Sequence, residues 1–99
     1  MVDLAAIEGF EWDEGNARKS LRKHRVTQAE AEQVLADEPL LAEDIEHSQA
    51  EIRYQALGKT ADGRRLHVTF TLRGNGKKIR VISARDMNRK ERVRYEQEA

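Results

Sequence analysis

The sequence predicts an α+β protein with the element order β-α-α-β-β-β-β-α. In the second half, three runs alternate apolar and polar residues at period two, which is typical of strands, and tight-turn dipeptides separate them. In the first half, apolar side chains recur at helical spacing behind residues that cap helices. A chain of 99 residues fits one hydrophobic core, so we expect residues 1–99 to form a single domain.

The first predicted elements are an edge strand and a helix. Ile7–Trp12 is short, aromatic and alternating, which indicates an edge strand that ends at Asp13. Ala17, Leu21 and His24 then recur at i, i+4 and i+7, and this spacing predicts the face through which the helix docks. A second stripe, about 100° round the helix, is basic and consists of Arg18, Arg22 and Arg25.

A second helix is predicted by its start and its end. Thr27 lies three residues before Glu30, the spacing at which each side chain satisfies the other's free backbone donor. Pro39 favours termination just before it. The next stretch, LLAEDIEHSQAE, has turn residues at its centre and predicts a short strand that runs into a loop.

Three further strands follow as an antiparallel meander. They are predicted at Ile52–Leu57, Leu66–Leu72 and Ile79–Ala84. The turns between them, Ala61–Arg64 and Arg73–Lys77, contain Asp-Gly and Asn-Gly, which tolerate the positive backbone angles of tight hairpins.

The chain closes with a short charged helix. Asn88 lies three residues before Glu91 and predicts another helix cap. Because this helix is almost entirely charged, we expect it to dock through Val93 or Tyr95.

Charge is distributed unevenly along the chain. The 18 basic and 18 acidic residues cancel, yet residues 1–50 hold 5 Lys/Arg and 12 Asp/Glu, whereas residues 51–99 hold 13 and 6. This asymmetry indicates an anionic ligand for the second half. There is no cysteine, which excludes disulfides and thiolate zinc sites, and no apolar run long enough for a membrane helix. The start does not have the pattern of a secretory signal, so we expect a cytoplasmic protein with no membrane contact.

Arginines on the predicted strands and last helix are candidates for a phosphate site. The planar guanidinium donates two hydrogen bonds at once and stays charged at physiological pH. The alternative is a solvated, salt-bridged surface. Charge alone does not decide between them.

The histidines leave two interpretations open. His24 follows two cations and suits proton transfer near neutral pH, but its place on the stripe of Ala17 and Leu21 also fits packing at the core edge. His47 lies near Asp44, and a polar loop explains this pair better than a metal site, because no ligand spacing is present. No nucleophile elbow, Walker loop or dinucleotide-binding motif occurs.

Six motifs in order along the chain resemble the BrnT family, the toxin halves of bacterial type II toxin–antitoxin pairs. They are FEWD at 10–13, LRKHRV at 21–26, EIRYQALG at 51–58, DGRRLHVTFT at 62–71, IRVISAR at 79–85 and ERVRY at 91–95. Two positions depart from the family pattern: Ser20 stands where Asn is frequent, and Arg25 where Gly is frequent.

The resemblance implies a RelE-like ribonuclease fold, with helices packed on one side of a twisted antiparallel sheet. It also implies a BrnA-like antitoxin with a ribbon-helix-helix region. The two proteins would form a hetero-oligomer that contacts operator DNA only through the antitoxin.

The resemblance further implies RNA cleavage that inhibits translation. RNA supplies its own nucleophile, the 2′-hydroxyl, so we expect no metal or other cofactor. Our hypothesis is that Arg53, Arg80 and Arg85 converge on one phosphate and that Lys23 and His24 assist binding or proton transfer. The residues expected to contact the substrate are Arg64, Arg89, Glu91, Arg92 and Tyr95. Among these, Glu91 and Tyr95 are also proton-transfer candidates, although Glu91 suits orienting an arginine better.

Two alternatives to an active nuclease remain at this point. One is a binding module of the same fold that holds nucleic acid or protein without cleaving it. The other is an inert relic of a toxin.

Overall fold

A five-stranded sheet and three α-helices form the computed structural model, which describes residues 3–48 and 50–98. The strands are β1 (Gly9–Glu11), β2 (Leu40–Glu43), β3 (Arg53–Lys59), β4 (Arg65–Arg73) and β5 (Lys78–Asp86). The α-helices are α1 (Glu14–His24), α2 (Gln28–Ala36) and α3 (Arg89–Glu98). Single-turn 3-10 helices occur at Leu4–Ala6 and Ile45–His47. The order of strands and α-helices is the predicted one.

The sheet is mixed, with the strand order β1-β5-β4-β3-β2. Strands β2 to β5 pair antiparallel, as expected for a meander. The expectation of a wholly antiparallel sheet is wrong at β1, which pairs parallel to β5 with Phe10 opposite Ile79. The segment between β1 and β5 contains two helices and three strands, which is ample for the crossover that a parallel pair needs.

The hydrophobic core lies between one face of the sheet and α2. Alternate residues of β4 point into it, and α2 meets them with Val34 and Leu35. Helix α2 approaches β3 closely at Gly58, where a Cβ atom would lie 2.9 Å from Cγ1 of Val34. The predicted cap of α2 is confirmed, since Thr27 Oγ1 accepts from the Glu30 N–H at 3.1 Å and Glu30 Oε1 accepts from the Thr27 N–H at 3.0 Å.

Helix α1 docks through polar side chains instead of the predicted apolar stripe. Leu21 is 49% exposed and His24 is exposed, whereas Asn16 and Ser20 are buried. Strand β1 pairs with β5 only as far as Arg80, and beyond it the register of β5 against β4 shifts between Thr69 and Phe70, so α1 meets a stretch of β5 that β1 does not cover. There, Asn16 Nδ2 donates to the Val81 carbonyl at 2.9 Å and Ser20 Oγ accepts from the Ala84 N–H at 2.9 Å. These hydrogen bonds set the rotation of α1.

The other face of the sheet, here called the open face, is not covered by α1 or α2. Because side chains alternate along a strand, His67 and its partner Arg85 lie on this face, opposite the buried Val68 and Ala84. Helix α3 reaches the end of the open face through Glu91, which bonds Arg85. Helix α2 packs on the core face, as predicted, whereas α3 reaches the open face, so the expectation that all helices pack on one side is wrong for α3.

Helix α3 docks mainly through polar contacts. Val93 is 47% exposed, whereas Tyr95 is half-buried, so of the two predicted docking residues Tyr95 is the more enclosed. The predicted cap is present: Asn88 Oδ1 accepts from the Glu91 N–H at 2.9 Å, and Glu91 Oε1 accepts from the Asn88 N–H at 2.9 Å. In the described part of the chain, no helix is long and apolar enough to cross a membrane.

Candidate active site

The open face carries a concavity of about 320 Å³, here called the cleft. Its lining is dominated by polar and charged side chains. Strands β3 to β5 contribute Arg53, Gln55, His67, Thr69, Ser83 and Arg85. Other elements contribute Lys19 from α1, Asp44 and His47 from the segment after β2, and Glu91 from α3. The cleft is thus assembled from segments that are far apart in sequence.

Arg85 is held in the cleft by Glu91. Its Nη1 and Nη2 donate to the two carboxylate oxygens of Glu91 at 2.7 and 2.9 Å, and Nη1 also donates to the Asp86 carbonyl at 3.1 Å. A guanidinium has five N–H donors. The Nε–H and the second Nη2–H, which together form the side-on fork, meet no acceptor in residues 3–48 and 50–98. Arg85 therefore keeps one two-donor edge for a ligand.

Glu91 is ionised in this arrangement. Burial disfavours its charge, but the hydrogen bonds from Arg85 and from the Asn88 N–H outweigh burial and hold the pKa of Glu91 below its ordinary value. A carboxylate that is fixed by Arg85 is poorly suited to accept a proton from a substrate.

Arg53 opens β3 and presents a second cation to the cleft. Its backbone N–H donates to Ser48 Oγ at 2.9 Å, which fixes the start of the strand. Glu51, the nearest acid in sequence, pairs with Arg73 at 3.2 Å instead. In the described residues no carboxylate forms an ion pair with Arg53, so its guanidinium is available to an anion.

Asp44 and His47 form a carboxylate–imidazole pair at the cleft. Asp44 caps the 3-10 turn by accepting from the His47 N–H at 3.3 Å, and its oxygens lie 3.0 and 3.1 Å from Nδ1 of His47. Burial raises the pKa of Asp44, but the hydrogen bonds from His47 and Gln55 outweigh it and lower the pKa overall. Asp44 is therefore ionised at neutral pH.

His67 lies beneath the cleft. It is 6% exposed, its Nε2 lies 3.7 Å from Glu91, and its Nδ1 is buried without a hydrogen-bond partner among the described residues. Burial, and secondarily the charge of Arg85, lower the pKa of His67. The imidazole is therefore neutral at pH 7.

Arg80 occupies an adjoining hollow that it shares with Arg53 and Lys19. Its Nη1 donates to Glu11 at 3.2 Å and its Nη2 lies 2.9 Å from Asp13. Two carboxylates thus balance this cation. Arg53 links the hollow to the cleft, since it lines both.

A family model described as the ribonuclease toxin BrnT of type II toxin–antitoxin systems matches residues 12–91. The chain belongs to this BrnT family. The match spans every residue that lines the cleft, from Lys19 to Glu91. The resemblance that the six motifs indicated is therefore confirmed.

Similarity to a solved structure supports the fold. The 1.1 Å crystal structure of the Brucella abortus ribonuclease toxin BrnT is similar with a TM-score of 0.60 and 23% identity, over 82% of this chain and 97% of that one. No curated protein matches this chain in sequence.

Arg64, predicted to bind substrate, lies outside the cleft of this BrnT-family protein. Its Nε and Nη2 donate to Asp86 at 2.8 and 3.1 Å, and Nη1 donates to Glu30 at 3.1 Å. The remaining donors bond the carbonyls of Arg25 at 2.9 Å and His24 at 3.0 Å. All five donors are occupied, and the bonds from Arg64 hold the pKa of Asp86 below its ordinary value. The geometry is that of a brace joining α1, α2 and β5.

The other predicted site residues also lie away from the cleft. Lys23 lines a shallow surface of α1 with neighbouring cations, and His24 is exposed one residue further on. On α3, Arg89 and Arg92 are exposed, and Arg92 Nη1 donates to the Met87 carbonyl at 3.0 Å. Tyr95 is half-buried and does not line the cleft. Of the predicted set, the cleft unites Arg53, Arg85 and Glu91.

Several cleft residues were not among the predicted ones. Asp44 and His47 have a sequence signal, the i, i+3 spacing of a capped turn, but that signal does not tell which surface the turn faces. Period-two alternation along β4 places His67 on the face opposite Phe70. Lys19 has no local signal that separates it from the other cations of α1. In the described segments, no three His, Asp or Glu side chains cluster to hold a metal ion.

Proposed function

We propose that this chain is the toxin of a type II toxin–antitoxin pair and inhibits translation by cleaving RNA in the cleft without a metal ion. The observation that carries the proposal is that Arg53 and Arg85 line one concavity while each keeps donors free for an anion. Lys19 adds a third cation. A phosphate is the anion that these groups suit best, because a guanidinium edge matches two of its oxygens.

The chemistry assigned to the cleft is attack by the 2′-hydroxyl on the adjacent phosphorus. Negative charge grows on the phosphoryl oxygens in the transition state, and fixed cationic donors stabilise it. Arg85 suits this role because Glu91 fixes its orientation before the substrate arrives. Arg53 supplies the second contact, and Arg80 is assigned to a flanking phosphate in the adjoining hollow.

Fewer residues are proposed to contact the substrate than the sequence suggested. The proposal assigns Arg64 a bracing role, because all of its donors are used within the protein. It leaves Arg89, Arg92 and Tyr95 out of the scissile site. Lys23 is kept as an outer contact with RNA, since it adjoins Lys19 on α1.

The partner assigned to this toxin is a BrnA-like antitoxin with a ribbon-helix-helix region. Type II antitoxins are proteins, so neutralisation requires a protein surface that blocks the cleft or its approach. The hetero-oligomer would bind operator DNA only through the antitoxin, and the cytoplasm is the compartment that holds both RNA and partner. The RelE-like description of the fold belongs to this proposal, supported by the antiparallel meander of β2 to β5.

Expression and cleavage test the proposed function together. We expect the protein, expressed alone, to arrest growth, and the purified protein to cleave single-stranded RNA in EDTA with 2′,3′-cyclic phosphate and 5′-hydroxyl ends. Co-expression of the neighbouring antitoxin gene restores growth. Tight RNA binding without cleavage would favour the non-catalytic module, and the absence of both arrest and binding would favour the relic.

A further inference from the structure

The proposed cleavage needs a group that accepts the proton of the 2′-hydroxyl. Lys23, His24 and Tyr95 do not line the cleft. Glu91 lines it, but Arg85 engages both of its carboxylate oxygens. Of the four proton-transfer candidates that the sequence suggested, three therefore lie outside the cleft and the fourth is bonded to Arg85.

Two imidazoles line the cleft, and their environments differ. His67 is 6% exposed and its Nδ1 is buried, so a substrate in the cleft meets little of the ring. The side chain of His47 is 61% exposed and stands at the rim. A group that exchanges protons with a substrate and then with water must be within reach of both. Accessibility thus favours His47.

We propose that His47, held by Asp44, is the catalytic group that takes the proton of the attacking 2′-hydroxyl. This inference rests on the proposed function and assigns a role within the same cleft. Asp44 is the positioning residue of the pair, because its carboxylate holds the imidazole.

The hydrogen bonds of Asp44 fix the ring. Its oxygens lie 3.0 and 3.1 Å from Nδ1 of His47, so the proton of a neutral ring stays on Nδ1 and Nε2 is left with its lone pair. Only 10% of the Asp44 side chain is exposed, and the same carboxylate caps the turn that carries His47. The pair therefore has the arrangement in which a carboxylate sets the tautomer of an imidazole base.

The segment is also tied to Arg53. The Asp44 N–H donates to the Arg53 carbonyl at 2.8 Å. Ser48 Oγ donates to the Asp44 carbonyl at 2.6 Å and accepts from the Arg53 N–H at 2.9 Å. These bonds hold the backbone of the imidazole turn against the residue that opens β3. His47 and Arg53 both line the cleft, and both also line a neighbouring hollow that includes Glu51. A phosphate bound to Arg53 would therefore lie near the imidazole.

The proposed step balances in atoms and charge. The 2′ O–H bond breaks and its proton goes to Nε2 of His47, while the O2′–P bond forms and the P–O5′ bond breaks. The departing 5′ oxygen takes a proton from a water molecule. The imidazolium returns its proton to the hydroxide that remains, so no proton is gained or lost overall.

Charged groups from several elements face His47 in the cleft and in the neighbouring hollow that includes Glu51. The cations are Lys19, Arg53 and Arg85, and the acids and second imidazole are Asp44, Glu51, Glu91 and His67. Protonation of His47 removes the lone pair that the step needs. We therefore expect the rate of cleavage to rise with pH.

The test uses the purified full chain, single-stranded RNA in EDTA, and single-turnover rates measured across neutral pH. We expect His47→Gln to lower the rate at least ~100-fold and to abolish its rise with pH. Binding of a 2′-O-methyl RNA, which cannot be cleaved, should change by less than about twofold because phosphate contacts dominate affinity. Imidazole added to the buffer should restore part of the activity of His47→Ala.

Two further variants complete the test. Glu46→Gln changes an exposed neighbour in the same turn and should leave rate and pH profile unaltered. Asp44→Asn should lower the rate ~10-fold or more while the rise with pH survives, as expected for a positioning residue. Cleavage by His47→Gln at the wild-type rate, with the wild-type pH profile, would overturn this inference alone. Absence of cleavage by the wild-type protein would instead overturn the proposed function.

Discussion

Arg85 and Glu91 form an ion pair with two hydrogen bonds, at 2.7 and 2.9 Å, that joins the end of β5 to the first turn of α3. The same carboxylate accepts from the Asn88 N–H at 2.9 Å and lies 3.7 Å from Nε2 of His67. Glu91 thus caps a helix and orients an arginine of the cleft at once. Helix α3 is coupled to the cleft through this one side chain.

Replacing Glu91 should affect stability and cleavage together. In Glu91→Gln the ion pair is lost but an oxygen remains to cap α3, so we expect a loss of about 1–2 kcal/mol in the free energy of unfolding. Because Arg85 is no longer oriented, cleavage should fall ~10-fold or more. Urea unfolding and RNA cleavage rates measure the two effects. Glu98→Gln, which breaks the exposed pair with Arg94, is the matched control and should change stability by less than ~0.5 kcal/mol.

Because Arg64 acts as a brace, we expect its replacement to lower stability without changing RNA binding in the cleft. Arg64→Ala removes five hydrogen bonds that tie the end of α1 to Glu30 and Asp86, and we expect a loss of about 2 kcal/mol in unfolding free energy. RNA affinity of the folded protein should stay unchanged. Arg65→Ala is the control, since Arg65 forms one exposed pair with Glu96. If Arg64→Ala lowered RNA affinity as much as an Arg53 variant does, Arg64 would have to be a substrate contact after all.

Arg25 predicts a stabilising substitution. It ends α1 with φ 54° and ψ 37°, a left-handed conformation that L side chains adopt at a cost and glycine adopts freely. We expect Arg25→Gly to raise the free energy of unfolding by up to ~1 kcal/mol, because the carbonyl that Arg64 bonds is retained. Arg22→Gly, inside the same helix, should lower it by about 1 kcal/mol. A destabilised Arg25→Gly would show that the arginine side chain matters more than its backbone angle.

His67 predicts a pH dependence of stability. Its pKa is lowered in the folded state, so on acidification the unfolded chain takes up a proton that the folded chain refuses. Stability should therefore fall as the pH drops through the ordinary histidine range, from about pH 7 to about pH 5. His67→Gln should reduce that fall, whereas His24→Gln, at an exposed position, is the control. Urea unfolding at each pH measures it, and an equal fall in both variants would contradict the assignment.

The parts of the fold that the sequence predicted correctly are those that depend on residues close together in the chain. The caps at Thr27 and Asn88 join residues three apart, and both are present in the structure. The partner of β1 is not a local property, so alternation identified the strand but not its parallel pairing with β5. The predicted docking face of α1 was wrong because the helix docks on β5 through the polar side chains of Asn16 and Ser20. A pattern of hydrophobic residues does not include such positions.

The same distinction applies to the site. Arg53 was predicted because an arginine on a strand can point away from the core, and Arg85 because it was expected where the last strand gives way to a helix. In the structure β5 extends to Asp86, so both arginines lie on strands. Lys19 lines the cleft in place of Lys23, which lies on the same face of α1 but one helical turn further along the helix. His47 was assigned to a polar loop because only the folded backbone brings that turn against Arg53.

In the proposed mechanism Arg53 and Arg85 bind one phosphate in the cleft, and single-turnover cleavage of RNA by their alanine variants tests this most directly. We predict that Arg53→Ala and Arg85→Ala each lower the cleavage rate ~100-fold or more. Arg94→Ala, which removes an exposed arginine of α3 outside the cleft, should cleave at the wild-type rate. Cleavage by either cleft variant within about twofold of the wild-type rate, well short of the loss expected for a transition-state contact, would contradict the account.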